Sequence, residues 1–338
     1  MILVTGATSG LGRNAVDDLL QRGIRFRATG RDPARLAELR ALGVDAVPAE
    51  LATLDAPQTR TLLEGVHTIW HCAALSSPWG PAAAFEAANV TATRRLAESA
   101  IALRVPRFVH ISTPSIYFDY RPHRQITESF RARQPVNAYA ASKLRAERYL
   151  RALARGCNTT QFVILRPRGL FGPHDRVLLP RLLNLLRARG GVLPLPAGGQ
   201  ATVDLTYVGN VVQAMHLAGT RQGLPQAAAY NISNQQPTSL AALLQSLLVD
   251  QLGLHLQVKP VSYHLMDAAA RLMELWGHVS RREPAFTRYG IGALNFEMTL
   301  CPRRAREELG YFPTIDLQQG VLHTAAWLRQ QGIVPWPR

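Results

Sequence analysis

The sequence predicts an α/β fold, a doubly wound parallel sheet joined to a smaller, interleaved C-terminal domain. Three observations predict it. Short apolar runs alternate with helical periodicity through the first half of the 338 residues. The first of these runs ends in a glycine-rich turn that opens a helix. Hydrophobic residues make up 47% of the chain and charged residues 18%, a globular balance that can fill a large core. No apolar run reaches the ~18 residues of a membrane span.

The elements follow in order. Met1-Ile-Leu-Val-Thr-Gly6 reads as a buried strand. Thr5-Gly6-Ala7-Thr8-Ser9-Gly10-Leu11-Gly12 follows it, and helical spacing begins at Asn14. Strand, glycine turn and helix together are the setting of a dinucleotide fingerprint. Gly6 allows the tight turn, Gly10 lets backbone approach a pyrophosphate, and Gly12 permits close helix–strand packing. The helix N-terminus offers unpaired N–H groups and a positive dipole to phosphate.

Further strands are expected near 25–30, 45–49, 68–73, 107–112 and 162–166. The end of the second strand selects the cofactor. An acidic side chain there bonds the ribose 2′-OH of NAD, whereas arginine suits the 2′-phosphate of NADP. In Arg27-Ala-Thr-Gly30-Arg31-Asp32 the expected acidic position is Gly30 and Arg31 follows, which favours NADP, with Arg13 also near. Asp32 keeps NAD open as the alternative.

A helix is expected from about 137 to 154, with Asn137 as its N-cap. It carries Tyr139-Ala-Ala-Ser-Lys143. The chain has only two lysines, Lys143 and Lys259, against 36 arginines, so a lysine at 143 suggests work a guanidinium cannot do. Residues i and i+4 share a helix face, and a phenol beside an ammonium is a proton donor or acceptor for an alcohol or carbonyl. An ordinary surface pair is the competing reading of the motif alone.

Arg121–Val136 reads as a polar, strand-poor loop over the site, and Leu193-Pro-Leu-Pro-Ala-Gly-Gly as another loop. Residues 201–212 and 228–233 are expected to return to the main sheet. This gives a dinucleotide-binding domain of 1–170 and 201–235, and a substrate-binding domain of 171–200 and 236–338. Met266, Ala269, Ala270, Met273 and Trp276 recur at helical spacing. They read as a core-facing stripe, in preference to a substrate wall or a membrane-touching face.

The net charge is +15 and the pI about 10.7. A polyanionic partner, an anionic membrane surface and an acidic substrate all fit. The arginines are spread along the whole chain, however, which favours a compositional preference over a specific nucleic-acid site. Cys72, Cys157 and Cys301 lack metal spacing and read as reduced thiols, so no metal site is expected. With no leader segment recognised, the expected compartment is the cytoplasm and the expected state a monomer or homodimer.

Several segments carry a closer resemblance. They are His71-Cys-Ala73-Ala74, Asn89-Val-Thr-Ala-Thr, Val109-His-Ile-Ser-Thr113-Pro-Ser-Ile-Tyr117, Leu165-Arg-Pro167-Arg-Gly169-Leu-Phe-Gly-Pro and Asp204-Leu-Thr-Tyr-Val. Ala305-Arg-Glu-Glu-Leu-Gly-Tyr and Trp327-Leu extend the match to the C-terminal region. With the glycine turn and Tyr139/Lys143, the chain resembles the extended short-chain dehydrogenase/reductases, within them the 3β-hydroxysteroid dehydrogenase-like enzymes. The spacing Thr-Gly-x-x-x-Gly-x-Gly departs from that branch, and Ser9 stands where it has glycine.

The resemblance implies a Rossmann fold and an enzyme. Tyr139 would give or take the proton. Lys143 would lower its pKa and hold the nicotinamide ribose, and Thr113 would polarise the substrate oxygen, with Ser112 and Ser115 as neighbours. Thr8, Ser9 and Leu11 would join the three glycines around the cofactor. Glu50 and Leu51 would lie near the adenine, with Ala73, Ala74, Pro167 and Gly169 along the cofactor's path. The implied activity is NADP-dependent interconversion of a secondary alcohol and a ketone on a hydrophobic substrate, a sterol or a long-chain β-keto acid. A nucleotide-sugar epimerase or dehydratase and a non-catalytic NADP sensor are the alternatives.

Overall fold

The computed structural model describes residues 1–175, 179–280 and 282–332. Seven parallel strands form one sheet: Ile2–Thr5, Phe26–Gly30, Asp45–Pro48, Thr68–His71, Arg107–Ile111, Gln161–Pro167 and Ala228–Ile232. Numbered along the chain, they lie in the order 3-2-1-4-5-6-7, so the winding reverses between the first and fourth strands, which pair Thr5 with His71. That switch point is where doubly wound sheets bind their ligands. The fold is a Rossmann fold.

Alternate side chains of a strand point to opposite faces. Val4 accordingly packs with Ala15, Val16 and Leu19 on one face, and Leu3 with Leu62, Leu96 and Phe108 on the other. A separate apolar cluster gathers Phe171, Leu183, Leu195, Leu243, Leu247 and Val321.

Four local expectations are corrected. Residues 201–212 do not return to the main sheet. Thr202–Val203 pairs with Thr238–Ser239 and with Met298–Leu300, and Val208–Thr220 is a helix, so only Ala228–Ile232 returns. Arg121–Val136 contains a strand, His123–Ile126, paired with Met298–Leu300, and Val192–Pro196 pairs with Gln257–Val261. Both pairings join residues more than 60 positions apart, which local periodicity cannot foresee. Finally, the helix Tyr263–Ser280 turns Asp267, Ala270 and Gly277 inward. Met273 and Trp276 are exposed, with Leu265, Leu272, Leu275 and Val279, and Met266 and Ala269 are half-buried. The stripe is not core-facing, because the buried side of this helix is built from small and ion-paired residues.

Candidate active site

The glycine turn folds as its spacing requires. Gly6 has φ +67° and Gly10 φ +53°, a region that L side chains rarely adopt. A Cβ on Gly12 would sit 2.2 Å from Gly6 O, so the helix Gly10–Gln21 can approach the first strand only with glycine there. A cleft of about 850 Å³, measured to its open mouth, lies beside this turn. Gly6, Thr8, Ser9, Arg31, Glu50 and Leu51 are among the residues that line it. Ala73 and Ala74 line its inner wall, facing Ala88 and Ala92, two small residues the sequence reading missed. A single helical turn in the Asn89-Val-Thr-Ala-Thr segment was the available signal. Gly10, Leu11 and Gly12 lie behind the lining. The cradle fits a dinucleotide: its glycines cannot carry side chains, and its walls are small.

The second-strand end is informative. A Cβ on Gly30 would meet Thr8 Cγ2 at 2.6 Å, so no acidic side chain fits at 30 without displacing Thr8. Asp32 caps the helix Pro33–Ala41, accepting from Arg35 N at 3.2 Å. Arg31 stays at the exposed rim, 3.3 Å from Glu50.

The helix Ala138–Ala154 starts where expected, with Asn137 accepting from Ala140 N at 2.8 Å. It is locked to the sheet by a buried ion pair. Arg166 forks onto Glu147 at 2.8 and 2.5 Å, and Ser112 Oγ donates to Glu147 at 2.6 Å. On its other side, Asn89 donates to Ser142 Oγ at 2.9 Å and accepts from Leu75 N at 2.7 Å, which places the loop carrying Ser76.

Tyr139 is half-buried, and the hydroxyls of Ser76 and Thr113 act on its phenol against the effect of burial. Thr113 Oγ1 donates to Ser115 Oγ at 2.9 Å, and Ser115 Oγ is 2.6 Å from Tyr289 OH. A chain of hydrogen-bonded hydroxyls thus runs from Thr113 through Ser115 to Tyr289, with Tyr139 beside its Thr113 end. Nothing in the sequence marked Ser76 or Tyr289.

Lys143 is fully buried beneath this chain. Its ammonium donates to Ile111 O at 2.5 Å and lies 3.4 Å from His110 Nε2. Burial pushes its pKa down to about 8, against the opposing pull of Glu147 and Cys72. Burial and the Lys143 charge hold His71 near 3 and His110 well below the usual imidazole range, so both are neutral. His71 bonds Thr5 and Thr93, at 2.9 and 3.0 Å. One expectation changes here. Lys143 was expected to depress the Tyr139 pKa, yet burial raises that phenol, and the groups acting against burial are Ser76 and Thr113. The reason is directional: the ammonium is turned inward to the strand carbonyl.

Pro167 and Gly169 fall outside the cleft lining. Pro167 is buried in the sheet opposite Ile232, and Gly169, at φ +55°, packs on Leu205. Among the described residues no group of acids, histidines and cysteines could hold a metal, and no helix is long and apolar enough to cross a membrane.

Known proteins resemble this chain along its length. The model of the NAD dependent epimerase/dehydratase family matches residues 2–233. The uncharacterized protein YbjS of Escherichia coli K12 is 48% identical, covering 99% of each chain. The 4-hydroxy-2-methyl-3-oxo-4-farnesyl-3,4-dihydroquinoline-1-oxide ketoreductase of Stigmatella aurantiaca is 33% identical over 94% of this chain and 93% of its own. The 2-alkyl-3-oxoalkanoate reductase of Shewanella oneidensis is 30% identical over 96% and 85%. Among solved structures, UDP-glucuronic acid 4-epimerase from Bacillus cereus, in complex with UDP-glucuronic acid and NAD, superposes with a TM-score of 0.76. It is 20% identical, over 98% of this chain and 99% of that one, a likeness of fold.

Proposed function

The chain belongs to the NAD dependent epimerase/dehydratase family, among the extended short-chain dehydrogenase/reductases, and on that premise we propose that it reduces an apolar ketone with NADPH. Its coarser activity, NAD(P)-dependent oxidoreduction, follows from the family and its reductase relatives. The observation that supports the finer reading is Tyr139 set beside Thr113 at the sheet's ligand-binding end.

In this reading the cleft residues Gly6, Thr8, Ser9, Ala73 and Ala74 hold the cofactor, which supplies the hydride when bound. Thr113 and Tyr139 both bond the substrate oxygen, and Tyr139 gives up its phenolic proton as negative charge develops there. A raised pKa keeps the phenol protonated in advance of that step. Lys143 places a positive charge behind the site and holds the ribose. The choice of NADP rests on Gly30, where no carboxylate fits, on Asp32, which is engaged in capping, and on Arg31 at the rim.

Substrate apolarity has support from an aromatic group next to the hydroxyl chain. Phe118 lies 5.6 Å from Tyr289 and 5.0 Å from Tyr120, ring to ring, and Trp79 lies 4.5 Å from His278. Such walls reward burial of alkyl or ring surface at about 25 cal/mol per Å². The Stigmatella and Shewanella relatives are named for a farnesyl-bearing and an alkyl-bearing ketone. Residues 171–200 and 236–338 serve as the substrate-binding domain. The exposed apolar face of Tyr263–Ser280, on a chain of net charge +15, supports peripheral contact with an anionic membrane as the route for such substrates. NADPH oxidation across a panel of steroid ketones, 2-alkyl-3-oxoalkanoates and UDP-sugars tests the reading. Turnover of UDP-sugars alone would replace it with epimerase or dehydratase chemistry.

A further inference from the structure

Arg168 follows Pro167 directly, at the C-terminal end of the sixth strand. That strand pairs with Arg107–Ile111, and Ser112 N donates to Leu165 O at 2.7 Å, so Arg168 emerges beside Thr113. Ligands of open parallel sheets bind outside these strand ends. Arg168 is half-buried. Its Nε donates to Met298 O at 3.1 Å, and it joins no ion pair among the described residues. A guanidinium carries five donors, so most of this one's capacity is uncommitted to protein acceptors.

No neighbour among the described residues pairs with it directly. Asp204 and Tyr289 act on it electrostatically. Asp204, however, accepts from Leu300 N at 2.6 Å and is tied to Ser233. Arg166, two residues earlier, shows how the chain treats a guanidinium it buries for structure, by forking it onto Glu147. Arg107 also lacks an ion pair, but it begins its strand, at the opposite end of the sheet, and donates to Arg221 O. Arg168 instead feels Tyr289 electrostatically, and Tyr289 reaches Thr113 through Ser115. A partly desolvated guanidinium with no direct ion pair among the described residues, and with most of its donors uncommitted, is suited to an anion brought by a ligand.

We propose that Arg168 anchors a carboxylate carried close to the reacting carbonyl, and that it sets a preference for keto acids over neutral ketones. The inference rests on the reading of Tyr139 and Thr113 as the carbonyl-reducing pair. The planar fork of donors matches a carboxylate in bidentate fashion, which a lysine does not.

The test uses a 2-alkyl-3-hydroxyalkanoic acid and its methyl ester, each oxidised with NADP by the full chain and by Arg168→Met and Arg168→Lys, with thermal melting checked for both variants. The wild type is expected to favour the acid by on the order of tens of fold in kcat/KM, carried mainly by KM. Arg168→Met removes the preference and Arg168→Lys restores part of it. Equal use of acid and ester by the wild type overturns the inference alone, as does a preference that survives Arg168→Met. A matching loss with both substrates, together with weakened NADPH binding by fluorescence titration, assigns Arg168 to a cofactor phosphate and also overturns it. Oxidation of neither alcohol overturns this inference, and the reductase reading falls with it only if steroid ketones are not reduced either.

Discussion

At the scale of single residues, the proposed chemistry assigns Tyr139 as acid and Lys143 as buried cation. Tyr139→Phe should lower kcat by roughly 10³-fold, near the range assigned to positioned acids, while cofactor affinity persists. Steady-state rates read beside a fluorescence titration of NADPH check this. Lys143 sets a pH dependence. Its pKa, about 8 in the fold, lies below the usual lysine value of 10.5. Between these values the unfolded chain binds a proton that the folded chain does not, so stability should rise with pH from about 8 to 10.5. Below about 8 the cost of the buried ammonium is felt in full. Melts across this range should show the rise in the wild type and lose it in Lys143→Met. Cofactor affinity should move the other way, weakening above pH 8 as the ammonium is lost. At the rim, Arg31→Ala should cost NADP on the order of 2 kcal/mol, tens of fold in affinity, and leave NAD almost untouched. Titration of both cofactors decides it, and a wild-type preference for NAD would refute the Arg31 assignment.

At the scale of elements, the glycine turn and the catalytic helix were both legible, because each rests on a local pattern. Gly12 could be assigned a packing role from its spacing alone, and the close approach to Gly6 O bears that out. Asn137 was readable as a cap for the same reason. What lay beyond reading were contacts between distant parts of the chain. Tyr289 meets Ser115 across 174 positions, and the strand His123–Ile126 exists only because Met298–Leu300 pairs with it. The inward turn of Lys143 was equally hidden, since helix periodicity gives a shared face but not where an ammonium finds its acceptor. The ion pair locking the helix to the sheet yields a further prediction. Glu147→Ala leaves Arg166 buried and uncompensated, and should cost about 3–5 kcal/mol. Denaturant unfolding measures it, and a loss under 1 kcal/mol would show that the pair does not hold the catalytic helix in place.

At the scale of the whole molecule, a +15 chain exposes Leu265, Leu272, Leu275, Trp276 and Val279 on one helix. Among the described residues these side chains are largely exposed, so Leu272→Gln with Trp276→Gln should change stability by no more than about 0.5 kcal/mol per site. Cosedimentation with anionic vesicles should fall in the same variant, and unchanged cosedimentation would leave net charge alone as the cause. The parallel sheet, its switch point and the cleft beside it follow from alternation and glycine spacing, which is why the architecture could be read before the substrate. On the proposed reading, substrate choice belongs to side chains assembled from the segments around 79, 118, 168 and 289, and no single stretch of sequence announces them. The most direct test of the account is therefore steady-state oxidation of NADPH by the purified chain, offered a 2-alkyl-3-oxoalkanoate, a steroid ketone and UDP-glucose, with Tyr139→Phe in parallel. The account predicts turnover of at least one of the two ketones, none of the sugar nucleotide, and near-complete loss in the variant. Turnover of the sugar nucleotide alone, or ketone reduction undiminished by Tyr139→Phe, would contradict it.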